Sequence, residues 1–344
     1  MNERLSSVYH DPMNARSNQS SCPHGRGRSP SASTRPGHRG LGRVTIALLA
    51  TLAAAGPLSA QEGGLGIFTG ETIFQYGTRV SISHLRESRT KLFRGDDRVA
   101  NPMNQRLVEH RAILGLSHGV RNDFSVSALI PFVEKSFDSR VAGRKLRMDS
   151  FGLGDVAVLA KYRLMKQTWP RGAFTVAVIG GAELPTGRTD FRENGTRLPT
   201  SLQPGSGSVN PFASLAATYE EDLWRFDAQL FGKWNTRGAR NFDDSDVYSA
   251  EIAAAYRFVH EPYPGPSHNF RLGLSYRQYT RARDDGPVLV NSGRSEWILR
   301  PALTMHPRPN IDIVIAADVP LHQHLRGTQL GLETRTFVAF GIRF

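Results

Sequence analysis

Along the last sixteen residues of the chain the side chains alternate in kind. Leu330, Leu332, Thr334, Thr336, Val338, Phe340, Ile342 and Phe344 fall on one side of an extended strand, and Gln329, Gly331, Glu333, Arg335, Phe337, Ala339, Gly341 and Arg343 on the other. Successive residues of a strand point to opposite faces, so a repeat of two marks a strand between two unlike environments. Here one side suits hydrocarbon, while the other is mostly small or charged. The same period recurs upstream. Trp224, Phe226, Ala228, Leu230, Gly232 and Trp234 alternate with Arg225, Asp227, Gln229, Phe231, Lys233 and Asn235. Tyr248, Ala250, Ile252, Ala254, Tyr256 and Phe258 alternate with Ser249, Glu251 and Arg257. The whole pattern predicts about twelve strands, at 71–85, 106–119, 123–137, 152–165, 172–186, 208–220, 223–236, 247–259, 268–280, 294–306, 310–320 and 329–344.

The connections carry independent information. Those after odd-numbered strands are long and polar, as in Arg86–Gln105, Asp138–Phe151, Gly187–Gly207 and Leu321–Thr328. Those after even-numbered strands are short, as in Val120–Asn122, Glu221-Asp222 and Pro307–Pro309. Short turns on the periplasmic side and long loops outside are the asymmetry of an outer-membrane barrel. The expectation is therefore an all-β fold: a closed antiparallel transmembrane barrel over residues 61–344. An even strand count lets the ends pair, so no edge is left open. Tyr162, Trp169, Tyr219, Trp224, Trp234, Tyr256, Tyr276 and Trp297 fall near the expected strand ends, where interfacial girdles favour aromatic rings.

The beginning of the chain differs. Residues 1–43 are rich in Ser, Arg, Gly, Pro and His and lack the apolar content to offset chain entropy, so they read as a disordered basic extension. Met13 offers an internal start. The apolar run from Val44 to Ala55 follows Arg39 and Arg43 and ends at Gly56-Pro57. A positive flank, a short apolar core and a small residue make residues 44–60 an export signal, with cleavage expected after Ala60. The lone cysteine, Cys22, lies before that point, which excludes an internal disulfide or a cysteine-type zinc cluster in the exported part.

The formal net charge is +12. Seven Arg against two acids precede Gln61, and the later bases sit singly on strands or at loop tips rather than in one stripe. Solvated loops and a polar lumen account for them, and no nucleic-acid partner is expected.

Several short motifs follow in order: Gly152-Leu-Gly-Asp155 leading into Lys161-Tyr162-Arg163, then Glu183-Leu-Pro-Thr-Gly187, then Gln203-Pro-Gly-Ser-Gly-Ser208, and a terminal Phe340-Gly-Ile-Arg-Phe344. In these, over roughly residues 65–344, the chain resembles the outer-membrane barrel family of the MetA pathway of phenol degradation. The resemblance implies a passive conduit for small solutes, aromatic or otherwise hydrophobic. The ending also resembles the signal read by the barrel-assembly machinery, with Phe340, Ile342 and Phe344 as its apolar face. Outer-membrane lipid, lipopolysaccharide, that machinery and a small-molecule solute are the expected partners.

Candidate lumen-lining residues are Lys161, Arg163, Glu251, Arg257, Arg271, Arg277, Asp312 and Asp318. Facing charges across a narrow lumen either select a solute or pair and plug the barrel. Both readings stand at this point. Two alternatives to a channel are a non-conducting structural barrel and an outer-membrane hydrolase of phospholipase type. A hydrolase needs a nucleophile and a base within reach of each other. Ser81, Ser83 and His84, or Ser117 and His118, differ in parity on their strands and so share no face where Ser meets His. His322-Gln-His324 has metal-ligand spacing but no acid beside it in sequence, and reads as a solvated loop. Gly152-Leu-Gly and Gly205-Ser-Gly lack the Lys-Ser/Thr ending of a phosphate loop and read as turns. No catalytic residue, metal or cofactor is implied.

Overall fold

The structure is a computed structural model that describes residues 69–193 and 195–344. The basic extension, Cys22 and the expected export signal with its cleavage after Ala60 lie outside the described residues. Twelve strands form the barrel: β1 (Thr78–Arg89), β2 (Arg106–Arg121), β3 (Phe124–Val141), β4 (Val156–Trp169), β5 (Gly172–Leu184), β6 (Asn210–Glu221), β7 (Trp224–Lys233), β8 (Val247–His260), β9 (Ser267–Tyr279), β10 (Arg294–Arg308), β11 (Ile311–Gly331) and β12 (Thr334–Arg343). Each pairs antiparallel with the next, and β12 returns to β1 with Arg343 opposite Arg79 and Thr334 opposite Ser88. Closure satisfies every ladder, the condition for backbone to cross hydrocarbon as strands.

The alternation has its expected cause. On β12, Arg335, Phe337 and Ala339 are buried inside the barrel, whereas Thr336, Val338 and Phe340 are exposed outside. The outward residues make an apolar band bounded by two sets of rings. Trp169 packs on Tyr219 and Trp224 on Tyr256 near the short turns; Trp234 meets Tyr248 and Tyr276 meets Trp297 near the other rim. From Tyr248 to Tyr256 is about 26 Å of strand at ~3.3 Å per residue. A tilt of about 40° reduces that to roughly 20 Å of height, close to a membrane band.

Four expectations need correction. Residues 71–77 are not the start of β1; they turn into the lumen, and the first strand begins at Thr78. The expected loop Asp138–Phe151 is a hairpin that stands above the barrel, with β3 running on to Val141 and pairing with a strand Arg144–Leu153. The expected loop Leu321–Thr328 is strand: β11 continues to Gly331 and its end pairs with a strand at Lys91–Gly95. The last strand therefore starts at Thr334, and Leu330 and Leu332 do not face lipid. They are 4% and 1% exposed, and Leu330 packs in a cluster with Leu92, Leu107, Phe137 and the loop residues Leu198 and Leu202. The period of two runs unbroken through the corner at Leu332-Glu333, so alternation alone does not reveal the bend.

Candidate functional site

The site is the lumen, built from the inward faces of all twelve strands. At its short-turn end, residues 69–77 form a strap across the opening. The Lys161 ammonium donates to the carbonyls of Thr69 (3.0 Å) and Glu71 (2.9 Å). The Gly70 amide donates to Thr218 Oγ1 at 3.1 Å. A Cβ on Gly70 would stand 2.6 Å from the Thr175 carbonyl oxygen, so only glycine lets the strap lie against the wall. Arg225 donates from Nη1 to Glu71 at 2.9 Å, and Arg163 donates to Thr72 Oγ1 at 3.1 Å. The Arg225 guanidinium holds the Glu71 carboxyl below its usual range. Between the strap and the wall lies a chamber of about 250 Å³.

Above the chamber the lumen has two unlike walls. At mid-height the inner face from β2 to β7 is apolar, with Ile113, Leu129, Leu159, Ile179, Phe212 and Phe231 in one cluster, while Glu109, Arg111 and Lys135 lie on the same face to one side of it and Lys161 and Asp227 to the other. From β7 through β12 to β1 it is a relay of charges. Arg225 donates to Asp227 (3.1 Å), Asp227 pairs with Arg271 (3.5 Å), and Arg271 donates to Glu251 (3.2 Å). Glu251 accepts from Arg300 (3.4 Å), which also donates to Asp318 (2.5 Å). Asp318 accepts from Arg335 (2.9 Å), and Arg335 donates to Glu87 (2.6 Å), which holds Arg89 (2.5 Å). Burying such charges is tolerable only because each has opposite partners. From mid-height up to the level of the outer rings, Ile179, Ala216, Ser275, Arg277, Glu296 and Ile298 have no exposure. A water-filled pore would leave these inner-face groups accessible, so the lumen is closed at this level in this conformation.

The connection 187–207 folds inward and closes the other end. The three glycine-rich motifs meet at its root. Asp155 accepts from the Gly187 amide (2.9 Å) through one oxygen, and from the Ser206 amide (2.7 Å) and hydroxyl (2.6 Å) through the other. Gly187 and Gly205 cross so closely that a Cβ on either would fall 2.5 Å from the other's backbone. Gln203 ties the loop to itself through the amide and carbonyl of Phe191 and the carbonyl of Leu198. From the wall, Lys135 donates to the carbonyls of Ser201 (2.9 Å) and Gln203 (3.1 Å), and the Ser150 hydroxyl donates to that of Leu202 (2.5 Å). Beneath the loop a buried Lys233–Glu183 pair (3.2 Å) spans the lumen side of β7 and β5. Beyond it, an open recess of about 950 Å³ lies among Arg237, Asp246, Arg281 and Arg326.

The structure thus places Glu251, Arg271, Arg277 and Asp318 in the charge relay, Arg277 standing 3.5 Å from Asp318. Lys161 and Arg163 hold the strap, and Asp312 pairs with Arg79 at 2.6 Å beside it. Arg257 stands apart from the relay, half-buried near the foot of β8. Sequence reading missed Asp155, Lys135, Glu183 and Lys233, whose partners lie on the inward loop or on another strand; the glycine-rich motifs beside Asp155 and Glu183 were the available signal. Ser81 and Ser83 are buried inside the barrel and His84 is exposed outside, so the wall separates them. Ser117 accepts from Ser127, while His118 meets Thr78. His322 and His324 do have an acid beside them: Asp96 from the loop after β1 lies 3.4 and 2.8 Å away. Among the described residues no group of three or more such side chains is arranged to hold a metal ion.

Residues 106–331 match the family described as "Putative MetA-pathway of phenol degradation". The chain belongs to this family. No protein of curated function matches it in sequence. Among solved structures, an outer-membrane channel from Pseudomonas putida F1 superposes with a TM-score of 0.63 at 14% identity, covering 82% of this chain and 99% of that one. The toluene transporter TbuX of Ralstonia pickettii is more distant, with a TM-score of 0.39 at 12% identity over 85% of this chain and 99% of that one. The first likeness supports the fold. With its closed ladders, apolar band and short turns at one end, the family member described here is a barrel of the outer membrane, and its short turns mark the periplasmic end.

Proposed function

We propose that the barrel is a gated conduit that carries small, single-ring-sized solutes, aromatic or otherwise hydrophobic, across the outer membrane. The carrying observation is the lumen itself: an apolar wall faces a charged wall, with a recess outside, a chamber inside and a closure between them. An apolar wall gives a ring a surface to slide along, while the charge relay orients a polar substituent. A merely filled barrel has no reason to keep a chamber and a recess, or to hold its closing loop by a few polar ties at the root and tip. The separation of Ser from His by the barrel wall speaks against a hydrolase.

Planar-bilayer recording of the refolded protein tests this. The expected result is discrete openings that phenols or small aromatic acids block at the recess or the chamber. Stable insertion with no opening under any voltage or solute would leave a non-conducting barrel and refute the conduit.

A further inference from the structure

More basic than acidic side chains line the periplasmic chamber. Five cations line it, Arg79, Lys161, Arg225, Arg271 and Arg343, against three carboxylates, Glu71, Asp227 and Asp312. Asp312 is taken by Arg79, Asp227 is shared by Arg225 and Arg271, and just outside the lining Glu220 also holds Arg225 (3.0 Å) and Glu251 holds Arg271 (3.2 Å). Arg271 Nη1 and Arg343 Nε are buried with no hydrogen-bond partner among the described residues. Unmet donors of this kind are costly in a protein interior and mark a place where an acceptor belongs. The third carboxylate, Glu71, belongs to the strap rather than to the wall. Its side chain is 52% exposed although Arg225 holds it, so it occupies the cationic surface without being sealed there.

The remaining lining sets apolar groups, Ile73 and Phe74 of the strap with Ala255, Val314 and Ala339 of the wall, among uncharged polar ones such as Ser117, Ser125, Asn269 and Thr304. An engineered apolar cavity of about 150 Å³ takes up benzene. The chamber, at about 250 Å³, therefore has room for a single ring with one polar substituent. Cations beside aliphatic groups match a molecule with an anionic head and a compact apolar body.

We propose that this chamber is a binding site for a small organic monoanion of monocarboxylate type, whose carboxylate competes with Glu71 for the cationic surface of Arg225, Arg271 and Lys161. The inference rests on the conduit reading in making the chamber a station on the route, but binding is measured without transport. Displacing Glu71 loosens the strap, so the same ligand that fills the chamber also unties its periplasmic cover.

Isothermal titration of the detergent-solubilised protein with benzoate, its neutral isostere benzamide and inorganic phosphate tests the site. Benzoate is expected to bind at least about tenfold more tightly than either of the others. Glu71→Gln is expected to tighten benzoate about tenfold by removing the internal competitor, and Lys161→Met to weaken it by a similar factor. Heat-modifiable mobility on gels confirms that each variant is a folded barrel. Equal affinity for benzoate and benzamide, phosphate as tight as benzoate, or no change on Glu71→Gln would each overturn the proposal. Benzoate binding in a protein that never conducts would uphold the site and refute the conduit. Conductance without any benzoate preference would do the reverse.

Discussion

Replacing Asp155 with alanine should open the barrel. The Asp155 carboxylate is the common acceptor at the root of the inward loop, taking three hydrogen bonds from Gly187 and Ser206. Hydrogen bonds to a charged acceptor contribute about 1.5–3 kcal/mol each, but the three share one group and are not additive. The loop tip keeps its ties to Lys135 and Ser150, and Leu198 and Leu202 keep their apolar contacts. A net loss of roughly 2–4 kcal/mol for the docked loop is a reasonable sum. Since each 1.4 kcal/mol is a factor of ten, the docked-to-undocked ratio should fall by roughly 30- to 1,000-fold. Osmotic swelling of proteoliposomes in small neutral solutes reads this directly. The Asp155→Ala vesicles should swell faster than wild type by at least an order of magnitude, with Asp155→Asn between them because one amide oxygen remains. Equal swelling rates, in protein that still shows heat-modifiable mobility, would refute the idea that this loop closes the route.

Other expectations follow from the relay, the seam and the strap. Asp318→Ala leaves Arg277, Arg300 and Arg335 without their shared acid, and should lower urea stability by about 3–5 kcal/mol, read from the midpoint of the mobility shift. Deleting Phe344 removes the pair of backbone bonds that joins it to Thr78 (2.8 and 3.1 Å) along with an exposed ring. Membrane yield of the truncated protein should drop, and normal yield would dismiss these contacts as an assembly feature. Glu71 has its carboxyl lowered by Arg225, so its hold on the strap is fully present above the ordinary value of 4.5 and is lost as pH falls through the lower value in the docked strap. Protection of the Gly70–Thr72 amides, read as exchange relative to the intrinsic rate at each pH, should therefore hold down to pH 4.5 and fall only below it; protection already lost at neutral pH would contradict the pairing.

The barrel was legible because lipid and lumen impose opposite demands on alternate residues. β7, β8 and β12 show this residue by residue, and the rings of Trp224, Tyr256 and Trp297 mark the edges of the band. What alternation cannot show is a strand that leaves the wall. Glu71–Gly77 looks like the opening of β1, yet Gly70 and Lys161 draw it inside. Leu330 and Leu332 continue the pattern of β12, yet both are buried, Leu330 in a cluster under the loops. The lumen charges were legible one at a time, but Arg271 with Glu251 on neighbouring strands, or Arg335 with Glu87 across the closing seam, are joined only by register between strands. The glycine-rich motifs were visible as turns, whereas their meeting around Asp155 depends on both ends of the inward loop folding back to the start of β4.

The central claim is that solute passes only when the inward loop leaves its dock. In a Cys22→Ser background, cysteines at Lys135 and Ser201 would stand where the lysine now reaches the loop carbonyl at 2.9 Å. Bridging them with a short bis-methanethiosulfonate, which forms a disulfide with each thiol as a sulfinate leaves, should abolish openings during single-channel recording, and reductant should restore them. Openings of unchanged size and frequency while the bridge is intact would contradict the account.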